Sequence, residues 1–188
     1  MTNWHCLKHP QQASQTVATL NFEKHINPKN YLRFKCDKFL AHDKDMDIAF
    51  IECLNPSPHL NKQVTIDARP YHVMNNDPQK KDRDRSMYII HQQCKGQGCN
   101  AFKKFQFERI RDTGAKSAKH DADTLGGSSG APVFDQESNM VIALHHEGNP
   151  FLNQAIPFYK IIKRMKYLAK KKPIFEQLLH KMKIHSMK

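Results

Sequence analysis

At 188 residues with 39% of them hydrophobic, the chain can bury one core or two small ones, and no run of about 18 apolar residues offers a membrane-spanning helix. Its 30 Lys and Arg against 18 Asp and Glu give a net charge of +12, which favours anionic partners without choosing among nucleic acid, membrane surface and acidic protein. Five cysteines (Cys6, Cys36, Cys53, Cys94, Cys99) are too few and too irregular for a disulfide scaffold, and one at least is unpaired within the chain.

Met1–Leu7, MTNWHCL, is an apolar-flanked segment holding one histidine, His5. Gln11–Leu40 contains strand-like pieces at Thr16–Phe22 and Tyr31–Phe34, broken by the turn cluster Asn27-Pro28-Lys29-Asn30. In Asp43–Cys53, DKDMDIAFIEC, the apolar run from Ile48 predicts a buried strand with Asp45 and Asp47 at its mouth. The two prolines of Asn55-Pro56-Ser57-Pro58 oppose regular structure and mark a boundary. Val64–Ile66 and Met87–Ile90 read as strands around a charged loop, Asp77–Arg85, expected to be solvated. His91 with Cys94 and Cys99 is half of a zinc pattern, because structural zinc wants a second ligand pair. A local disulfide or plain thiols fit better there, so neither a metal nor a cofactor is expected. Phe102–Ile110 alternates apolar with polar residues and suits a strand whose basic residues face out.

The stretch Asp121–Phe134, DADTLGGSSGAPVF, carries the chemistry. Gly127-Ser128-Ser129-Gly130-Ala131-Pro132 fits G-x-S-G-x-P, a tight turn that presents a serine. Glycines let its backbone approach a carbonyl closely, and two N–H groups on one side of such a turn can bind an oxyanion. Strands follow at Pro132–Phe134 and Val141–Leu144, then His145-His146-Glu147-Gly148 and Asn153–Pro157. Phe158, Ile161, Ile162, Met165 and Leu168 lie at helical spacing; Pro173 ends that stripe and a second short helix follows. These helices read as a closing element with a lysine-rich solvated face.

The segments T-N-W-H-C, D-I-A and G-S-S-G-A-P, in the order His5, Asp47, Ser129, resemble trypsin-like serine peptidases over about Thr2 to Ile162, with V-I-A-L-H-H-E-G and N-Q-A-I-P similar to their bacterial-type, glutamyl endopeptidase branch. The resemblance implies a trypsin-like double antiparallel β-barrel with C-terminal helices. It divides the chain into 1–55, a remnant of the first barrel with His5 and Asp47; 56–162, the second barrel with Ser129 and the specificity pocket; and 163–188, a basic helical tail. It implies that His5 is the general base, that Asp47 (or Asp45, two residues away) orients it, that Ser129 is the nucleophile, and that the N–H groups of Gly127 and Ser129 form the oxyanion hole.

In that family about 30 residues of strand precede the histidine. Here four do, so the first barrel is expected to be incomplete and the chain N-terminally truncated or started at an internal Met. With no strand before it, His5 is expected to sit on a poorly held terminus, making the protein weakly active and prone to self-association. A secreted or periplasmic location is implied, although no signal peptide is present in this chain. Asp123 matches the acidic pocket base that selects Lys or Arg, whereas Thr124 and His145 match a pair that holds an acidic side chain; the latter is preferred. His146 and Gly148 belong to the wall that pairs with a protein or peptide substrate. Two alternatives stand beside the peptidase: an inactive protease-fold binding module, and a basic adaptor whose tail contacts an anionic surface. No nucleic-acid motif is present.

Overall fold

The computed structural model describes residues 1–54, 64–71, 85–95, 98–114, 116–124, 126–149 and 152–185; the expected boundary at Asn55–Pro58 and the loop at Asp77–Asp84 lie outside them. After a short helix α1 (Pro10–Ser14), β1 (Thr16–Leu20), β2 (Leu32–Asp43) and β3 (Ile48–Cys53) form a three-stranded antiparallel sheet in chain order. Within β2 the burial of Phe34 and Cys36 between exposed Arg33, Lys35 and Asp37 gives the period-two signature of a one-sided strand. The strand runs on to Asp43, beyond the expected Tyr31–Phe34, with the alternation interrupted over 37–40 by shifts in register against β3. Cys36 faces Cys53 across β2 and β3, and the two are disulfide-bonded with Cα atoms 3.7 Å apart. The pairing was not anticipated, since their separation of 17 residues says nothing of strand register.

The second sheet closes on itself. Strands β5 (Arg85–Lys95), β6 (Gly98–Thr113), β7 (Ala118–His120), β8 (Pro132–Asp135), β9 (Val141–Asn149) and β10 (Leu152–Pro157) pair in the order β10-β7-β6-β5-β8-β9, and β9 pairs back to β10. All six are antiparallel, giving a closed barrel filled by Met87, Ile89, Ile110, Val133, Ile142, Ala143 and Ala155. Two short strands, β4 (Ile66–Asp67) and β11 (Ile184–His185), add in parallel beyond β9.

The outer face of β6 departs from expectation. Ile110 points into the barrel, and period two then turns Phe105 and Phe107 to solvent. Phe102 is exposed as well. The outward rings recover apolar contact by stacking: Tyr88 lies 4.9 Å from both Phe105 and Phe134, centroid to centroid. Arg85, assigned above to a solvated loop, is instead the buried first residue of β5. Its Nε meets Asp135 Oδ1 at 2.5 Å and its Nη2 meets Glu137 Oε2 at 3.2 Å.

Helices α2 (Phe158–Ala169) and α3 (Pro173–Lys181) follow β10. Pro173 starts α3, where its missing N–H costs nothing. The buried stripes, Phe158, Ile161, Ile162 and Met165 with Phe175 and Leu178, share one core with Ala41, Ile48 and Phe50 of the first sheet and Val141, Leu144 and Ile156 of the barrel. From α2, Arg164 reaches Asp43 Oδ2 at 2.7 Å and Asp45 Oδ2 at 3.0 Å, pinning the turn that leads into Asp47.

Burial works to raise the pKa of Asp135, but hydrogen bonds from Arg85 and from the Ser138 hydroxyl and N–H outweigh it, leaving the carboxyl below its ordinary value. A carboxylate depressed by folding contributes stability above its unfolded pKa of about 3.9, and loses it as pH falls through the lower folded value. Asp135→Asn should therefore flatten the acid limb of stability measured by urea unfolding across pH 2–7. At neutral pH it should cost up to about 3–5 kcal/mol, because buried Arg85 loses its nearest carboxylate and keeps the more exposed Glu137.

Candidate active site

The N-terminal segment is held at three points before the first functional side chain. Thr2 forms a two-way bridge with Ala49 of β3, N–H to O distances being 2.9 and 2.8 Å. Asn3 is fully buried and donates from Nδ2 to the Asp47 carbonyl at 3.1 Å. These contacts correct the expectation of a poorly held terminus: Thr2 is bridged to β3 and Asn3 is tied to the turn before it.

Asp47 ends the turn before β3 with a φ of 49°, a left-handed conformation that Asp tolerates better than most residues. Its carboxylate faces the N-terminal segment. Oδ1 accepts the His5 backbone N–H at 2.8 Å, and Oδ2 lies 2.7 Å from His5 Nδ1. The opposite ring atom, His5 Nε2, is 3.0 Å from Ser129 Oγ. The Ser129 hydroxyl also lies within donating distance of the His146 carbonyl, at 3.2 Å. Asp45 points elsewhere, to Arg164. Of the two candidate aspartates, only Asp47 joins this run.

His146, assigned from the sequence to the substrate wall, also turns its Nδ1 to Asp47 Oδ2 at 3.1 Å. Burial pushes the Asp47 pKa up, yet hydrogen bonds from His146, the His5 N–H and the His5 ring more than offset it, so the carboxyl stays below its usual range. It is ionised throughout the neutral region. Burial and the Asp47 charge hold the Cys6 thiol above its ordinary pKa, outweighing the opposing influence of Ser129 and Thr2, so it is not a competing thiolate at neutral pH.

The serine turn owes its shape to two glycines with positive φ, Gly127 at 92° and Gly130 at 86°. A Cβ on Gly130 would lie 2.8 Å from Thr2 Oγ1, so glycine lets the turn sit directly against the N-terminal segment. Gly130 N–H donates to the His145 carbonyl at 2.8 Å, and His145 N–H to the Ala131 carbonyl at 2.9 Å, tying the turn to β9. The neighbouring Ser128 is buried and its Oγ lies 2.8 Å from His91 Nδ1. His91 is thus committed to the back of the serine turn. Cys94 and Cys99 face each other in the β5–β6 register, and their side chains lie outside the described residues.

A cleft of about 1050 Å³ opens in front of Ser129, bordered by His5, Asp123, Thr124, His145, Glu147 and Gly148 among others. His145 is buried, its Nδ1 3.2 Å from His120 Nε2. Burial, opposed by Asp121 and reinforced by His91, brings His120 to about 4; burial and then the surrounding histidines bring His145 to about 3. Both are neutral at pH 7. Because His120 Nδ1 has no partner among the described residues, and a buried bare acceptor costs less than an orphaned donor, the proton between the rings belongs on His120 Nε2. The single proton of His145 is then on Nε2. Thr124 is spoken for as well: Asn153 Nδ2 donates to the Ala122 carbonyl at 2.7 Å, which turns Asn153 Oδ1 to accept from Thr124 Oγ1 at 2.5 Å. Gly148 makes room for this amide, since a Cβ there would fall 1.8 Å from Asn153 Oδ1. Asp123 is exposed on the cleft wall.

Sequence spacing did not reveal His120, the His91–Ser128 contact, the Thr124–Asn153 pair or the His146–Asp47 contact. All of them depend on strand register.

Two comparisons bear on this arrangement. The trypsin-like peptidase domain profile matches residues 1–144. A 45-residue stretch is 51% identical to secreted RxLR effector protein 73 of Plasmopara viticola; it makes up 24% of this chain and 11% of that protein, so the chain spans only about a tenth of its relative's length. With a profile match over most of its length, a closed six-stranded barrel and C-terminal helices, the chain belongs to the trypsin-like peptidase family.

Proposed function

We propose that this chain is a serine-type endopeptidase in which Ser129 is the nucleophile, His5 the general base and Asp47 the carboxylate that orients it. The observation that carries the reading is the hydrogen-bonded run Asp47–His5–Ser129, with contacts of 2.7 and 3.0 Å. Ionised Asp47 keeps the His5 proton on Nδ1, so the Nε2 lone pair faces the Ser129 hydroxyl. As Oγ attacks a peptide carbonyl, Nε2 takes the hydroxyl proton and Asp47 stabilises the imidazolium. The N–H groups of Gly127 and Ser129 then hold the oxyanion. Protonated His5 gives its proton to the leaving amine, and water cleaves the acyl-enzyme by the reverse path.

The cleft walls favour a cationic or uncharged side chain before the scissile bond over an acidic one. Neutral His145 offers one donor, and the Thr124 proton is committed to Asn153. Among the described residues, Asp123 and Glu147 line the same cleft with Asp121, which is paired to Arg111, against one lysine, Lys44. This reading sets aside the acidic-side-chain pocket preferred from the sequence. The Cys36–Cys53 disulfide, together with a relative described as secreted, supports an oxidising, extracytoplasmic setting.

A fluorophosphonate probe tests the nucleophile directly. Wild type should be labelled and Ser129→Ala should not, with peptide and ester turnover falling by up to ~10⁶-fold and thermal stability nearly unchanged. Unlabelled wild type that is fully folded would favour the binding-module reading. The pocket is tested with peptides carrying Arg, Phe or Glu before the scissile bond. Arg should be cleaved best, and Asp123→Asn should lower kcat/KM for Arg a few-fold, as befits an exposed ion pair of roughly 0.2–1 kcal/mol. Preference for Glu, lost with His145→Ala, would overturn the assignment.

A further inference from the structure

We propose that His5, Asp47 and His146 form a binding site for a borderline divalent transition metal such as Zn²⁺, and that occupancy of this site switches the hydrolysis off. The second half rests on the reading of Ser129, His5 and Asp47 as the catalytic set. Residues 42 and 99 positions apart converge here: His5 Nδ1, Asp47 Oδ2 and His146 Nδ1 all lie within 4.8 Å of one another. Both imidazoles address the same oxygen, at 2.7 and 3.1 Å. Ligand atoms around tetrahedral zinc stand about 3.3 Å apart, given bonds of about 2.0–2.1 Å. Relative to that oxygen, His146 Nδ1 would shift by about 0.2 Å and His5 Nδ1 by about 0.6 Å to reach this spacing.

The surroundings of these atoms suit a metal as well as the atoms themselves do. A histidine bound through one ring nitrogen usually donates its other N–H to a carboxylate or carbonyl. His146 Nε2 faces Glu147 Oε1 at 3.4 Å, and Gln154 Nε2 holds that carboxylate at 3.1 Å. Asp47 Oδ1 is fixed by the His5 N–H, so Oδ2 is the oxygen presented to the ion. The His5 side chain is 41% exposed, leaving access from the cleft and room for water in a fourth position. Two imidazoles and one carboxylate select zinc-like ions over Mg²⁺ or Ca²⁺, which prefer oxygen ligands.

The consequence for catalysis follows from tautomers. A neutral imidazole carries one proton, and a metal on Nδ1 moves it to Nε2. His5 Nε2, 3.0 Å from Ser129 Oγ, then becomes a donor to the serine and has no lone pair to take its proton. The ion would also neutralise much of the Asp47 charge that steadies an imidazolium.

Zinc affinity is best measured by calorimetry on full-length Ser129→Ala protein, which retains all three ligands and cannot digest itself. One Zn²⁺ per chain is expected. Adding His146→Ala to that background should weaken binding at least tenfold, and adding Glu147→Gln about 10–100-fold. Should the His146 variant fail to fold by circular dichroism, the exposed Glu147 variant decides. In wild type, Zn²⁺ should inhibit ester hydrolysis, EDTA should restore it, and Mg²⁺ should have no effect. Unchanged affinity in the folded variants overturns the site, as does Ser129-dependent hydrolysis indifferent to saturating Zn²⁺. Stoichiometric, His146-dependent binding to a protein without hydrolytic activity would sustain the site and remove the catalytic reading instead.

Discussion

The arrangement hangs on where one carboxylate lies. Asp47 accepts hydrogen bonds from the His5 backbone, the His5 ring and the His146 ring, and so joins the N-terminal segment, the first sheet and the barrel at a single point. Each approach is fixed from outside. The Thr2–Ala49 bridge sets the first, Arg164 pins the turn that sets the second, and β9 carries the third. A half-buried anion with three donors is satisfied, and any one donor lost leaves a desolvated charge short of a partner. The geometry therefore stands or falls as a unit.

Behind the serine turn the barrel holds a second polar system of a different kind. His91, His120 and His145 are buried, all three are held toward neutrality by that burial, and among the described residues His91 meets Ser128 while His120 and His145 meet each other. Front and back of the turn thus face opposite electrostatic conditions: an ionised Asp47 with its hydrogen-bonded imidazoles on the cleft side, uncharged rings on the inside. An uncharged interior lets the barrel bury three imidazoles without bringing a positive charge near the serine.

Much of this was legible in the sequence because the informative features are local. G-x-S-G-x-P names a turn by its glycines, D-I-A names a strand mouth, and the apolar stripe from Phe158 to Leu168 names a helix face. The chain order of His5, Asp47 and Ser129 supplied the rest of the frame through its resemblance to the family. What could not be read were consequences of register. Cys36 meets Cys53 because β2 and β3 pair with an offset that no spacing rule gives. Phe105 and Phe107 face out because Ile110, a few residues on, claims the inside. Thr124, the expected ligand for an acidic side chain, has its proton turned to Asn153 by a partner 29 residues away.

The contact between Gly130 and Thr2 has a consequence for how the site comes into being. His5 and Ser129 lie 124 residues apart, one in the N-terminal segment bridged to the first sheet and the other in the turn that leads into β8 of the barrel, and they meet where a bare Cα rests against a threonine side chain. Neither sheet contains the site; it exists only in the seam between them. On the proposed catalytic reading, a displacement of about 1 Å across this seam would cost hydrolysis about a hundredfold while leaving the pairing within each sheet untouched, so activity would gauge the seating of the two halves more finely than their secondary structure does.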